Sequence, residues 1–248
     1  MNLAEIALRP GITTPDRLAF SVLGLSRADR WSHARLRAAV LAMAGALANA
    51  GFPDGARLPL PPAQDPGFAV TFLAAIAAGL VPDLTAPMAL APPAPAQSAP
   101  GFAQGAAART ACIGPDGAIP HSALDTRKAA FVGHGPLSPP DRILLAEGLA
   151  RPPLHEFGLI ETLALGASAL VPAAGIRPVQ MPLLAARHGA TLIAAGAATL
   201  REILAAPSPG WAGLRLALVT DRADPGLAAD WQDRTGTPLH VLDAAASG

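Results

Sequence analysis

The hydrophobic and polar positions of residues 65–85, DPGFAVTFLAAIAAGLVPDLT, predict a helix that runs directly into a strand. Phe68, Phe72 and Ile76 recur at intervals of four and set a bulky apolar stripe on one helical face, while the alanines between them lose no side-chain entropy. Asp65 stands where it caps the helix, Pro66 fits the first turn, and Gly79 supplies a left-handed exit. Leu80-Val81-Pro82 then reads as a short buried strand, so the stretch is the α-to-β half of a βαβ crossover.

The same alternation extends along the chain. Asn2 to Leu8 predicts a short amphipathic helix, and Leu18 to Leu25 has the length and apolar content of a strand. Ser32 is placed to cap a second helix whose buried stripe is Leu36, Val40, Met43 and Leu47, ending at Gly51. Gly55 to Pro62 predicts a further strand, confined to a sheet edge by Pro59, Pro61 and Pro62. Periodicity stops at residues 86–109, an Ala/Pro-rich stretch that reads as a linker between two lobes, 1–85 and 110–248. The second lobe repeats the unit. Helices over Phe157–Leu165, Pro178–His188, Ala198–Leu204 and from Asp224-Pro225 to Arg234 alternate with strands over Ala167–Val171, Ala190–Ala194, Leu214–Val219 and Pro238–Leu242. The expected fold class is α/β, with parallel, helix-covered sheets joined by right-handed crossovers.

Composition narrows the function classes. The 248 residues are 51% hydrophobic, enough to bury a sizeable core, and Lys plus Arg equal Asp plus Glu at 18 each. No net field favours nucleic acid or an anionic membrane, and the longest apolar run, Phe68 to Pro82, is too short to span a bilayer. The single Cys112 forms no internal disulfide, and the N-terminus lacks the apolar core of a signal peptide, so a cytoplasmic location is expected.

Motifs read by spacing alone give little chemistry. His155-Glu156 opens like a zinc-protease helix, but Leu159 replaces the second His. Gly133-His134-Gly135 has two glycines of a dinucleotide fingerprint with Ser138 in place of the third, and Leu170 removes the last glycine of a nucleophile elbow at Ser168. Cys112 and His121 are types that form a nucleophile-base pair, although a lone Cys is more often an inert filler. Trp31, Trp211 and Trp231 are expected to pack rather than to stack bases, and Asp221 with Arg222 reads as a solvated loop.

The order of motifs is more informative. WSHARLRAAVLAMAGALANAGFPDGARL, FLAAIAAGLVPDLT, PPLHEFGL with Leu165-Gly166-Ala167, RHGAT at Arg187–Thr191 and WQDRTGTP at Trp231–Pro238 follow one another as in the N-terminal domain of the adenylate-forming superfamily. The chain resembles acyl-CoA and aryl-CoA synthetases and peptide-synthetase adenylation domains over residues 1–85 and 136–248, with benzoate- and hydroxybenzoate-type CoA ligases nearest. The resemblance implies the fold of that domain, and ATP with magnesium wherever the family activity survives. It also implies an acyl pocket lined by His155, Phe157 and Gly158, although for His155 a helix-terminal residue satisfied by backbone groups is the simpler reading.

Departures fall on the catalytic motifs. The best match to the family's phosphate loop is Thr110 to Gly117, TACIGPDG, in which Pro115 and Gly117 fit, the hydroxyl run is lost and Asp116 stands at the Lys position. A carboxylate about 6 Å from a phosphate oxygen repels it by roughly 3 kcal/mol at an effective dielectric near 20, where Lys attracts by as much. Ala197–Arg201 keeps only the Arg of its counterpart, and Thr220-Asp221-Arg222 replaces a G-G-E turn. By the resemblance, the chain ends before the magnesium-holding Glu and the lysine-bearing C-terminal domain, a truncation expected to leave strand edges near Leu214–Val219 and Pro238–Leu242 for a second copy or another chain.

Three expectations follow. The first is a non-catalytic relative, with no cofactor, that binds a partner protein or an acyl or aromatic acid ligand. The second is an aryl- or acyl-CoA ligase completed by a separate chain. The third is a reading frame without selected function, which failure to express as a folded protein would favour.

Overall fold

The computed structural model describes residues 2–87, 102–103, 110–114, 117–121, 137–149, 157–206, 211–221 and 225–242. Strands β1 (Leu18–Leu23), β2 (Ala28–Ser32), β7 (Arg142–Leu145), β8 (Ser168–Pro172), β9 (Leu192–Ala195), β10 (Leu216–Val219) and β11 (Leu239–Val241) form a seven-stranded sheet in the order β11-β10-β9-β7-β8-β1-β2. All neighbours are parallel except β1 with β2. A second sheet, β3-β4-β5-β6, joins β3 (Arg57–Pro59), β4 (Val81–Asp83), β5 (Thr110–Gly114) and β6 (Gly117–Pro120), with an antiparallel β5–β6 pair. Each sheet therefore takes strands from both sides of residues 86–109, most of which lie outside the described residues.

The helices form where local signals place them. Among them are α1 (Leu3–Leu8), α2 (Pro10–Thr13), α3 (His33–Asn49) and α4 (Pro66–Ala77). Ser32 caps α3 by accepting from the Arg35 N–H, and Asp65 caps α4 by accepting from Phe68 N–H at 2.9 Å. Gly79, at φ 80°, turns the chain from α4 into β4 through a conformation that any side chain would strain. Residues 68–77 of α4 are all buried, so the helix lies in the core rather than along its surface. The spacing predicts one apolar stripe there, and the alanines between the bulky residues allow close approach on the other sides as well.

The second half departs from the expected elements in places. Where Phe157–Leu165 predicts a helix, the chain first makes a π turn at Phe157–Glu161 and only then a short α5 (Thr162–Ala164). The helices α6 (Met181–His188), α7 (Ala197–Ala205) and α8 (Pro225–Thr235) match their expected spans closely, and Gly189 ends α6 at φ 63°. β2, β7 and the β5–β6 hairpin are additional strands. The expected free edge needs one correction: β10 is paired on both sides, so of the two strands expected there only β11 stands at the edge.

The central sheet divides the core by side-chain alternation. Ile143 and Leu145, Leu192 and Ala194, and Leu216 and Leu218 face a cluster shared with α1, α3, α4 and the second sheet. Leu144, Ile193, Ala195, Ala217 and Val219 face the other way, onto Met181, Leu184, Leu200, Ile203, Leu227 and Trp231. The second cluster is closed by Trp231, fully buried, whose indole N–H donates to Thr237 and whose ring meets Trp211 at 5.5 Å between centroids. The molecule is thus a stack of α6–α8, the seven-stranded sheet, the helices α1, α3, α4 and α5, and the four-stranded sheet.

Candidate functional site

In an open parallel sheet the ligand crevice lies outside the carboxyl ends of the strands, where successive crossovers leave in opposite directions. Here β7 leads through the π turn and α5 to β8 on one side, and α6 then carries the chain back over β7 to β9 on the other. The loops after β7 and β9 diverge to opposite faces, and the switch point lies between these two strands.

Glu147, in the loop after β7, is the central polar residue at this point. Its Oε1 accepts from Thr199 Oγ1 on α7 at 2.5 Å, and its carbonyl accepts from Gln64 Nε2 at 3.3 Å. The Gln64 side chain also lies against Gly148, whose φ of 68° and absent Cβ leave room for it. Glu147 thus links the start of α7 through its carboxylate and the loop before α4 through its backbone carbonyl. Beside it, Asp221, in the loop after β10, accepts from Ala197 N–H at 2.7 Å and caps α7, whose own Gly196 has no side chain for the purpose. Asp221 is exposed as expected, but its carboxylate is bound, and Arg222 lies outside the described residues. The α7 amino terminus, the kind of backbone donor set that binds phosphate, is occupied by a residue of the chain itself.

The degenerate phosphate loop lies on the second sheet. In the β5–β6 hairpin, Ile113 pairs with Ala118 and Gly114 with Gly117, so only two positions, Pro115 and Asp116, join the strands. Those two lie outside the described residues. Thr110 begins β5 opposite Pro120, and Gly117 is exposed at φ 116°. Cys112 is fully buried in the core, while His121 Nδ1 accepts from the Leu3 N–H at 3.2 Å, so the lone pair that a base requires is engaged.

Of the three acyl-pocket residues, His155 lies outside the described residues. Phe157 is fully buried and its carbonyl accepts from Thr162 Oγ1 at 2.8 Å. Gly158 packs so closely on β7 that an added Cβ would stand 2.3 Å from Leu145 Cδ1. The π turn is therefore pressed against the last residue of β7, immediately before the loop that carries Glu147.

A different cluster holds the opposite ends of the strands. Asp141, just before β7, accepts from Arg215 Nε and Nη2 at 2.9 and 2.7 Å, from Thr191 Oγ1 at 2.7 Å, and from Ser138 N and Oγ at 2.8 and 2.9 Å. Burial alone raises its pKa, but the bonds from Arg215, Thr191 and Ser138 outweigh it and hold the carboxyl at about 2. The amino ends of parallel strands are the structural side of such a sheet, and this cluster ties β7, β9 and β10 together there. Sequence reasoning passed over it because its members are far apart in the chain. Among the described residues no group of three or more His, Cys, Asp or Glu is placed to hold a metal ion.

No family model and no curated protein matches the sequence. Solved structures do match its fold. A nonribosomal peptide synthetase, FmoA3, in an AMPPNP-bound form, is similar at TM-score 0.80 and 16% identity over 96% of this chain and 31% of its own. A benzoate CoA ligase from Burkholderia xenovorans LB400 is similar at TM-score 0.79 and 17% identity, over 97% of this chain and 60% of its own. The N-terminal domain of FACL13 from Mycobacterium tuberculosis is similar at TM-score 0.78 and 14% identity, over 97% of this chain and 74% of its own. The chain has the fold shared by these proteins and spans between a third and three quarters of their lengths.

Proposed function

We propose that this chain is an adenylate-forming-type domain, nearest to benzoate-type CoA ligases, that works without catalysis by binding a partner protein or an acyl ligand. The observation that carries this reading is the register of the β5–β6 hairpin. Gly114 opposite Gly117 leaves two residues where a phosphate-wrapping loop needs a longer run of free backbone N–H groups. One of the two is Asp116 in place of Lys. Asp221 on the amino terminus of α7 and Glu147 at the switch point add negative charge at the crevice, where a polyphosphate would meet repulsion rather than donors.

The AMPPNP-bound form of the similar peptide synthetase makes ATP the nucleotide to test, supplied together with magnesium. The test is ATP- and acid-dependent AMP formation by the full chain, with benzoate-type acids as substrates. Absence of AMP supports the proposal. AMP formed by the chain alone, or only with a co-purifying subunit, supports instead an aryl- or acyl-CoA ligase completed by a second chain.

A further inference from the structure

We infer that the outer face of α6 and the adjoining β1–β2 tip bind an acidic, amphipathic helical segment of a partner protein. The inference names the partner chemistry of the reading above, and rests on it only for the expectation that a partner exists. Five large hydrophobic side chains are exposed among the described residues, and three belong to this face: Leu25 at 42%, Val179 at 42% and Leu183 at 43%. Leu183 and Arg187 stand four apart on α6, one helical turn, and Val179 lies four residues before Leu183 in the 3-10 turn Pro178–Gln180 that leads into the helix. Arg187 donates through Nη1 to the Leu25 carbonyl, which joins the hairpin tip to the row.

Charge gives the face its polarity. Arg142 Nη1 donates to the His188 carbonyl at 2.9 Å, and burial first, then the nearby charges of Arg30, Arg187 and Arg142, oppose protonation of His188. From Thr162 to Arg201 the chain contains no Asp or Glu. Asp29 points to the opposite side of β2, where it bonds Trp31 and Arg35, because residues 29 and 31 share the face that Arg30 does not. Asp141 is 4% exposed and its carboxylate is held by Arg215, Thr191 and Ser138. In a chain with equal numbers of acids and bases, this is an apolar row edged by cations.

A helix with apolar anchors a turn apart and carboxylates beside them is complementary to that row. A bilayer fits it less well, since three partly exposed side chains without an aromatic residue bury little apolar area. Nucleic acid fits less well too, since the row lacks a stacking platform.

The experiment titrates the full chain into a fluorescein-labelled amphipathic peptide of about 18 residues, built from leucines at helical spacing and glutamates, with anisotropy as readout. A scrambled peptide of the same composition, phosphatidylcholine–phosphatidylglycerol vesicles and a single-stranded oligonucleotide are the controls. Binding of the amphipathic peptide that weakens with salt, and falls about tenfold or more in Leu183→Asp and in Arg30→Glu with an unchanged circular dichroism spectrum, supports the inference. The Arg187 side chain bonds the Leu25 carbonyl, whereas Arg30 contributes to the fold through its backbone, so Leu183→Asp and Arg30→Glu are preferred to Arg187→Glu. Equal binding of the scrambled peptide, preference for vesicles or oligonucleotide, or unchanged affinity in both variants overturns it. AMP formation, measured on the same preparation, bears on the non-catalytic reading alone, so the two fail separately.

Discussion

Asp141 and Glu147 stand at opposite ends of β7, and their surroundings give them different roles. Asp141 receives five hydrogen bonds and serves stability. Its folded pKa, about 2, lies below the ordinary carboxylate value, so its contribution is fully present above about pH 4 and is lost as pH falls through 2. Asp141→Asn is expected to cost about 2 kcal/mol at neutral pH and to flatten the loss of stability between pH 4 and 2, as read by urea unfolding. An unchanged pH profile in the variant would contradict that assignment. Gly158 offers a second residue-scale test. Gly158→Val drives side-chain atoms into Leu145 and is expected to destabilise by roughly 1–3 kcal/mol in the same assay, with a melting temperature equal to that of the parent counting against the close packing. Neither residue was singled out for these contacts by sequence, because each depends on a neighbour brought together by tertiary structure.

At the scale of elements, what could be read in the chain was what is encoded locally. Ser32 and Asp65 mark the starts of α3 and α4 through side chains that bond backbone N–H groups three residues on. The π turn at Phe157–Glu161 has no such local code and replaces the first turns of an expected helix. β7 is only the four residues Arg142–Leu145, too short for periodicity to separate it from a helix or loop, yet it is the strand on which the switch point depends. The hairpin carries the element-scale prediction. If its two-residue connection rather than charge alone prevents phosphate binding, Asp116→Lys restores no micromolar affinity for ATP–magnesium by calorimetry. Tight binding in that variant would show that charge was the whole obstacle.

For the whole molecule, the order of motifs along the chain anticipated the fold seen in structures at 14–17% identity, because helix-strand alternation and capping are written in local sequence. The interleaving of the sheets was not legible. β1 pairs with β8 across some 150 positions, and β5 joins β4 across residues 86–109, connections that no local pattern encodes. The basic face on α6 was hidden for the same reason, since Arg30, Arg142 and Arg187 form no run and meet only around His188. Among the described residues no helix is long and apolar enough to cross a membrane.

The central claim is that this fold has lost nucleotide chemistry while keeping a surface or pocket for another ligand. Calorimetric titration of the full chain with ATP–magnesium, and separately with benzoate-type acids and their CoA thioesters, tests it most directly. The account predicts no heat with nucleotide and, where the acyl pocket is retained, heat with an acid or thioester; micromolar binding of ATP–magnesium would contradict it.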